Sequence, residues 1–216
     1  MRFFMNKKEL SIFLSKLRTF DAHKLKLEQY ATECNIAGEA LWTAYMHGHI
    51  NGKKVADLGC GHGILGLGAL LLGAIKVHFI DIDPHTLHIA AQNIATAENL
   101  FHKTFAYELN AIPVPSFTQN VDTVIMNPPF GAQQEHADRP FLETAFAHAN
   151  YIYSFHMLET RSFIESFAHQ HYFSATLLNH VMFPLSRTQT FHTKNKHYID
   201  VGLWLFKRRY DPHEGQ

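Results

Sequence analysis

Four consecutive residues, Asn127-Pro128-Pro129-Phe130, carry groups that could hold a planar molecule by its exocyclic amine. The Asn127 carboxamide oxygen and the Pro128 carbonyl both accept hydrogen bonds, so together they can take the two hydrogens of an NH2 group. The Phe130 ring can stack on the plane that bears it. Neither proline can donate to a sheet ladder, so the apolar run 121–126 reads as a buried strand that stops abruptly at Asn127. The four residues then stand at the carboxyl edge of a sheet, where open α/β sheets bind ligands, with Phe130 expected as an exposed ring. The competing reading is a plain Pro-Pro turn with Phe130 filling core.

A second group of residues suits a nucleotide. Gly59-Cys60-Gly61-His62-Gly63 follows the short strand-like run 54–58 and precedes the helical stretch 64–73. Glycines let a ligand approach the backbone, and a helix start offers free N–H groups. Gly61, Gly63 and Gly66 satisfy the dinucleotide fingerprint, which is weak taken alone. Asp81 closes the next apolar run, about 20 residues beyond the loop, where an acid can hold a ribose diol; Asp83 is the second candidate.

These groups need a scaffold that delivers both to one edge. Apolar spacing predicts helices over 5–20 and 35–46 ahead of the first strand. Strands follow at 54–58, 76–80, 103–107 and 121–126, with helices over 64–73 and 85–98 between them. Further helices are expected near 141–153 and 159–171, and two closing strands at 172–182 and 197–206. The β-α-β order predicts an α/β fold: a single doubly wound, mostly parallel sheet with right-handed crossovers. Residues 1–50 read as a helical flank, 51–209 as the domain, and 210–216 as a frayed tail. The polar, glycine-started segment 131–138 has the character of a loop that orders around substrate.

Composition narrows the class. With 216 residues, 46% hydrophobic and 18% charged, the chain suits one globular domain and is not disordered. Its longest apolar run, 64–75, is too short to cross a bilayer and is broken by three glycines. No signal peptide is expected, and Cys34 and Cys60 suggest a reducing, cytoplasmic setting. Net charge is zero, but residues 1–26 hold seven Lys/Arg against Glu9 and Asp21, and residues 186–209 hold six against Asp200, so each end carries +5. Two basic ends could form one phosphate-binding rim, although from charge alone plain solvated helix and tail surface is the better reading. The seventeen histidines are scattered without metal-ligand spacing, so no metal is expected.

The segments VADLGCGHGILGLGALLLGA, DIDP, DTVIMNPPFG and EQYAT together resemble the class I methyltransferases. They are most similar to the small-subunit ribosomal RNA N6-adenosine methyltransferases, the methyltransferase-like protein 5 family, with the similarity running from about Leu25 to Phe206. The resemblance implies a Rossmann-like seven-stranded sheet with an antiparallel closing strand, S-adenosyl-L-methionine as cofactor, and methylation of an extruded adenine. It implies that Gln29 and Thr32 close over the methionine end, that Gly59, Gly61, His62 and Ile64 line the loop, and that Asp57 orders loop amides or the cofactor ammonium. Asp81 would take the ribose. Glu108, followed by Leu109, would meet the adenine where the family usually has an aspartate, with Asn110 as the fallback. Asn127, Pro128, Pro129 and Phe130 would act on the target base, and Phe191, His192, Lys194 and Lys196 would bind substrate. The resemblance also implies a small zinc-binding activator protein that extends the sheet, for which 101–107 offers an apolar edge. The same amine clamp would serve DNA N6-adenine or protein glutamine N5 methylation, and a non-catalytic scaffold subunit is the reading from a different class.

Overall fold

The structure, a computed structural model, describes residues 5–19, 32–130, 137–185 and 197–209. Its centre is a seven-stranded sheet built from β1 (Lys54–Leu58), β2 (Lys76–Asp81), β3 (Tyr107–Ala111), β4 (Thr123–Met126), β5 (Tyr151–Met157), β6 (Phe173–Leu185) and β7 (His197–Arg208). The order across it is β3-β2-β1-β4-β5-β7-β6. β1 to β5 pair in parallel, and β7 runs antiparallel to both of its neighbours. The doubly wound, mostly parallel sheet with an antiparallel closing strand is therefore the fold observed.

Strands buried on two faces read as near-continuous apolar runs, and β1, β2 and β4 largely do, whereas the edge strand β3 does not. Val55, Val77, Phe79 and Ile125 face a cluster with helices α1 (Lys7–Leu14), α2 (Cys34–Met46), α3 (Ile64–Leu71) and α4 (Pro84–Phe101). Ala56, Leu58, Ile80, Val124 and Met126 face the opposite cluster with α5 (Arg139–His148) and α6 (Arg161–Gln170). The chain turns back from β1 to β2 and from β4 to β5 at the same sheet edge. That edge carries both the glycine loop and Asn127.

Three elements differ most from expectation. The first helix, expected over 5–20, spans only Lys7–Leu14 and ends at the Ser15 C-cap. β3 starts at Tyr107, not at residue 103, because the chain first has to end α4: His102 takes a left-handed φ of 48°, and Lys103 and Phe105 spend their amides on Glu98. The helix expected near 141–153 stops at His148, and 151–157 forms β5, a run rich in aromatic residues that fills the space between β4 and β7.

Candidate active site

β4 ends at Met126 and delivers Asn127 to the sheet edge. The Asn127 Nδ2 donates to Thr32 Oγ1 at 3.0 Å, which fixes the plane of the amide. The other end of that amide, Oδ1, is buried with no hydrogen-bond partner among the described residues. Leaving a buried acceptor unpaired costs about 1–3 kcal/mol, so the arrangement is costly until a donor arrives. Pro128 behind it is buried and Pro129 half-buried. Phe130 departs from the exposed ring expected: it is 8% exposed and meets Phe183 edge-on, 5.3 Å between centroids at 80°. The ring buries its surface in the apolar cluster of Phe155, Phe183, Val201 and Leu203, as in the core-filling reading of the Pro-Pro turn.

The glycine loop lies one strand away. Gly59 and Cys60 both donate to the Ile80 carbonyl, at 2.8 and 2.9 Å, which pins the loop across the end of β2. Gly63 caps α3 in a left-handed conformation, φ 84°, that disfavours any side chain. Gly66 lets α3 lie on β2, since a Cβ there would stand 2.3 Å from the Phe79 ring. Asp57, 1% exposed, accepts from the Gly66 amide at 2.7 Å; burial pushes its carboxyl up to about 7, and the nearby Asp81 adds to the shift. Asp81 Oδ2 accepts from Gly61 at 2.8 Å and Oδ1 from Asp83 at 2.9 Å, and burial raises its pKa as well. The Asp83 carboxylate is occupied in capping α4, accepting from His85 at 2.8 Å. His62 is buried, and burial lowers its ring to about 4, so it stays neutral at ordinary pH. Ile64 is buried in the first turn of α3. The loop thus brings two buried carboxyls with raised pKa values to the place where a cationic ligand would relieve them.

Residues 41–128 match the ribosomal protein L11 methyltransferase family, a stretch that runs through the glycine loop and stops at Asn127-Pro128. The rRNA N(6)-adenosine-methyltransferase METTL5 of Danio rerio is 35% identical over 205 residues, covering 94% of this chain and 99% of the fish protein. Its Drosophila melanogaster counterpart is 30% identical over 93% of this chain and 95% of its own length. A solved Pyrococcus horikoshii protein described as a candidate RNA methyltransferase superposes with a TM-score of 0.84 at 41% identity, covering 95% and 99% of the two chains. This chain belongs to the rRNA N6-adenosine methyltransferase family. It is thus an S-adenosylmethionine-dependent methyltransferase.

In this family member the acid expected at the adenine is engaged elsewhere. Glu108 stands within β3 opposite His78, with one carboxylate oxygen 2.5 Å from Lys76 Nζ and the other 3.1 Å from His78 Nδ1. The Lys76 hydrogen bond draws its pKa down. Leu109 packs into the core on the helix α3–α4 side. Asn110 lies one pair from the end of the ladder, opposite Ile80, and its Nδ2 is buried without a partner among the described residues. Its unspent amide lies near the carboxyl end of β3, where the later start and end of that strand bring it.

Gln29, Phe191, His192, Lys194 and Lys196 lie outside the described residues, as does most of the 131–138 segment. Among the described residues no group of three or more His, Cys, Asp or Glu could hold a metal. Sequence reasoning missed Asn93 on α4, 2% exposed, whose Nδ2 donates at 3.0 Å to both the His62 and Arg18 carbonyls and whose Oδ1 accepts from the Arg18 amide at 2.9 Å. Asn93 ties the glycine loop to the N-terminal flank. The signal was present: an amide among Ile89, Ala90, Ile94 and Ala97 on the buried face of a helix requires partners.

Proposed function

We propose that this family member transfers a methyl group to N6 of an adenosine in ribosomal RNA, that of the small subunit, with the base extruded into the pocket at Asn127. The observation that carries the reading is the buried, unpartnered Asn127 Oδ1. An amine N–H is the donor it lacks. The unspent Asn110 amide and the raised carboxyls of Asp57 and Asp81 support a cofactor with an adenine and a positive charge on the neighbouring strands. When bound, S-adenosylmethionine supplies an electrophilic methyl group.

Asn127 Oδ1 and the Pro128 carbonyl accept from the two N6 hydrogens, turn the nitrogen lone pair out of conjugation and aim it. Orientation and charge complementarity in a water-excluded site carry most of the acceleration. No strong base takes part, since the proton leaves after the C–N bond has formed. Thr32 holds the amide plane, and Phe130, on turning out of its contact with Phe183, stacks on the base and offsets part of the few kcal/mol that unstacking costs. In this reading Asn110, not Glu108, meets the cofactor adenine, while Asp81 gives up the Gly61 amide to the ribose. Residues 1–50 complete the cofactor site: the chain passes from Arg18, held by Asn93, to Thr32, held by Asn127.

The RNA itself is held by the basic segment 186–196, including Phe191, His192, Lys194 and Lys196. β6 ends and β7 begins beyond the carboxyl end of β5, on the side of the sheet where Asn127 stands, which supports this role. A small activator protein adds to the sheet at β3, an edge strand in this fold. Reduced Cys34 and Cys60 fit a cytoplasmic enzyme. The test is a labelled-methyl assay offering ribosomal RNA, duplex DNA and protein side by side, with and without the activator. Label on adenine N6 of small-subunit RNA is expected; label confined to DNA or to a glutamine side chain would replace the substrate, and none on any would support a scaffold.

A further inference from the structure

Next to the site lies a linked aspartate, histidine and serine that the mechanism above does not use. His156 on β5 is 1% exposed; its Nδ1 stands 2.9 Å from Asp138 Oδ2, and its Nε2 stands 2.8 Å from Oγ of the fully buried Ser154. With Nδ1–H donating to the Asp138 carboxyl oxygen, Nε2 is left to accept from the Ser154 hydroxyl, the tautomer in which all three groups are paired. The order of groups is that of a hydrolase triad. Ser154, however, is sealed on a central strand, and the same cluster holds Trp204, Phe206 and Leu142, so no substrate reaches its oxygen.

Three observations give the relay a purpose. Asp138 is the N-cap of α5, where an aspartate ordinarily accepts a first-turn amide for about 1 kcal/mol, yet it makes no such bond. Its side chain is spent on His156 instead. Ser154 pairs across the ladder with Met126, the residue before Asn127, so the relay starts beside the point where the amine clamp leaves the sheet. And Phe141, in the first turn of α5, lies on the glycine loop: a Cβ at Gly59 would stand 2.8 Å from its ring. A polar network buried in an apolar cluster is a costly way to fill space, and its return is a fixed geometry.

We propose that Ser154, His156 and Asp138 are positioning residues for methyl transfer. The relay fixes the start of α5 against β5 beside the point where Met126 leads into Asn127, and with it the Phe141 ring on the glycine loop. It touches neither substrate nor cofactor and acts through what it holds in place. The inference rests on the proposed methylation of RNA, and wild-type activity in the same assay separates its failure from the failure of that reading.

The test measures kcat on RNA, cofactor Kd and melting temperature for the full chain carrying Asp138→Ala, Asp138→Asn or Ser154→Ala. Asp138→Ala is expected to lower kcat at least about tenfold, as loss of orientation does, while cofactor Kd moves less than about threefold. Asp138→Asn keeps an oxygen that accepts from Nδ1–H and should return kcat to within about threefold of wild type. Ser154→Ala removes one hydroxyl from a strand and should cost at least about threefold in kcat, which keeps the test open if Asp138→Ala does not fold. The proposal is overturned if the folded Ala variants keep wild-type kcat, if Asp138→Asn is as slow as Asp138→Ala, or if every loss of rate matches a loss of folded protein.

Discussion

Asn127 illustrates how a buried polar atom can be read as a request for a ligand. Thr32 satisfies one end of its amide and leaves the other unpaired. Thr32→Val should therefore slow methyl transfer more than it weakens cofactor binding, by about tenfold in kcat, because the amide loses its orienting partner. Comparing kcat with cofactor Kd in that variant checks this. Asp57 makes a second prediction. Its carboxyl stands near 7 in the folded chain against about 4 when unfolded, so the folded state holds a proton the unfolded state has released. Its contribution therefore lowers the stability of the ligand-free enzyme as pH rises from about 4 through about 7. A cationic cofactor favours the ionised form, so affinity should rise several-fold between about pH 6 and about pH 8, with proton release on binding. Calorimetric titration across that range reads both, and Asp57→Asn should flatten the dependence.

Among the elements, those with strong local signals were legible. Gly63 and the run before it set the first strand, loop and helix; α4 was placed from residue 85, and the structure adds that Asp83 caps it with Pro84 in its first turn. β5 was not legible as a strand: Tyr151-Ile152-Tyr153 follows a helix directly, and only neighbours on both sides, β4 and β7, make it a central strand. β3 was displaced because Glu98 consumes the amides of residues 103 and 105, a contact no periodicity reveals. In the function proposed above, that displacement favours the fallback Asn110 over Glu108 at the adenine, while the placement of Asn127 needed only two prolines after an apolar run. Asn93 gives the test at this level. Asn93→Ala leaves the His62 and Arg18 carbonyls unpaired and should cost about 2–3 kcal/mol of stability in denaturant melts. Gly66→Ala should also destabilise, by about 1–3 kcal/mol, by pressing a methyl into the Phe79 ring.

Taken whole, the molecule is electrically neutral but not uniform. Each end of the chain carries +5, and β6 ends and β7 begins on the side of the sheet that holds Asn127. If Lys194 and Lys196 contact phosphates, Lys194→Ala with Lys196→Ala should weaken RNA binding and reduce the slope of log affinity against log salt by about 1.4, with little change in cofactor affinity. RNA binding measured from low to moderate salt decides it. Charge placement of this kind was visible in the sequence; that β6 ends and β7 begins on the Asn127 side of the sheet required the topology, and β7 then carries Lys207 and Arg208 to the opposite edge.

The central claim is that an asparagine oxygen, held ready and unpaired, orients an adenine amine for methylation. Single-turnover methyl transfer to ribosomal RNA by Asn127→Ala, with cofactor Kd measured on the same preparation, tests it most directly. A rate lower by about a hundredfold to a thousandfold with Kd within about twofold is the predicted result. A rate within tenfold of wild type, or a Kd that worsens in step with the rate, would contradict it.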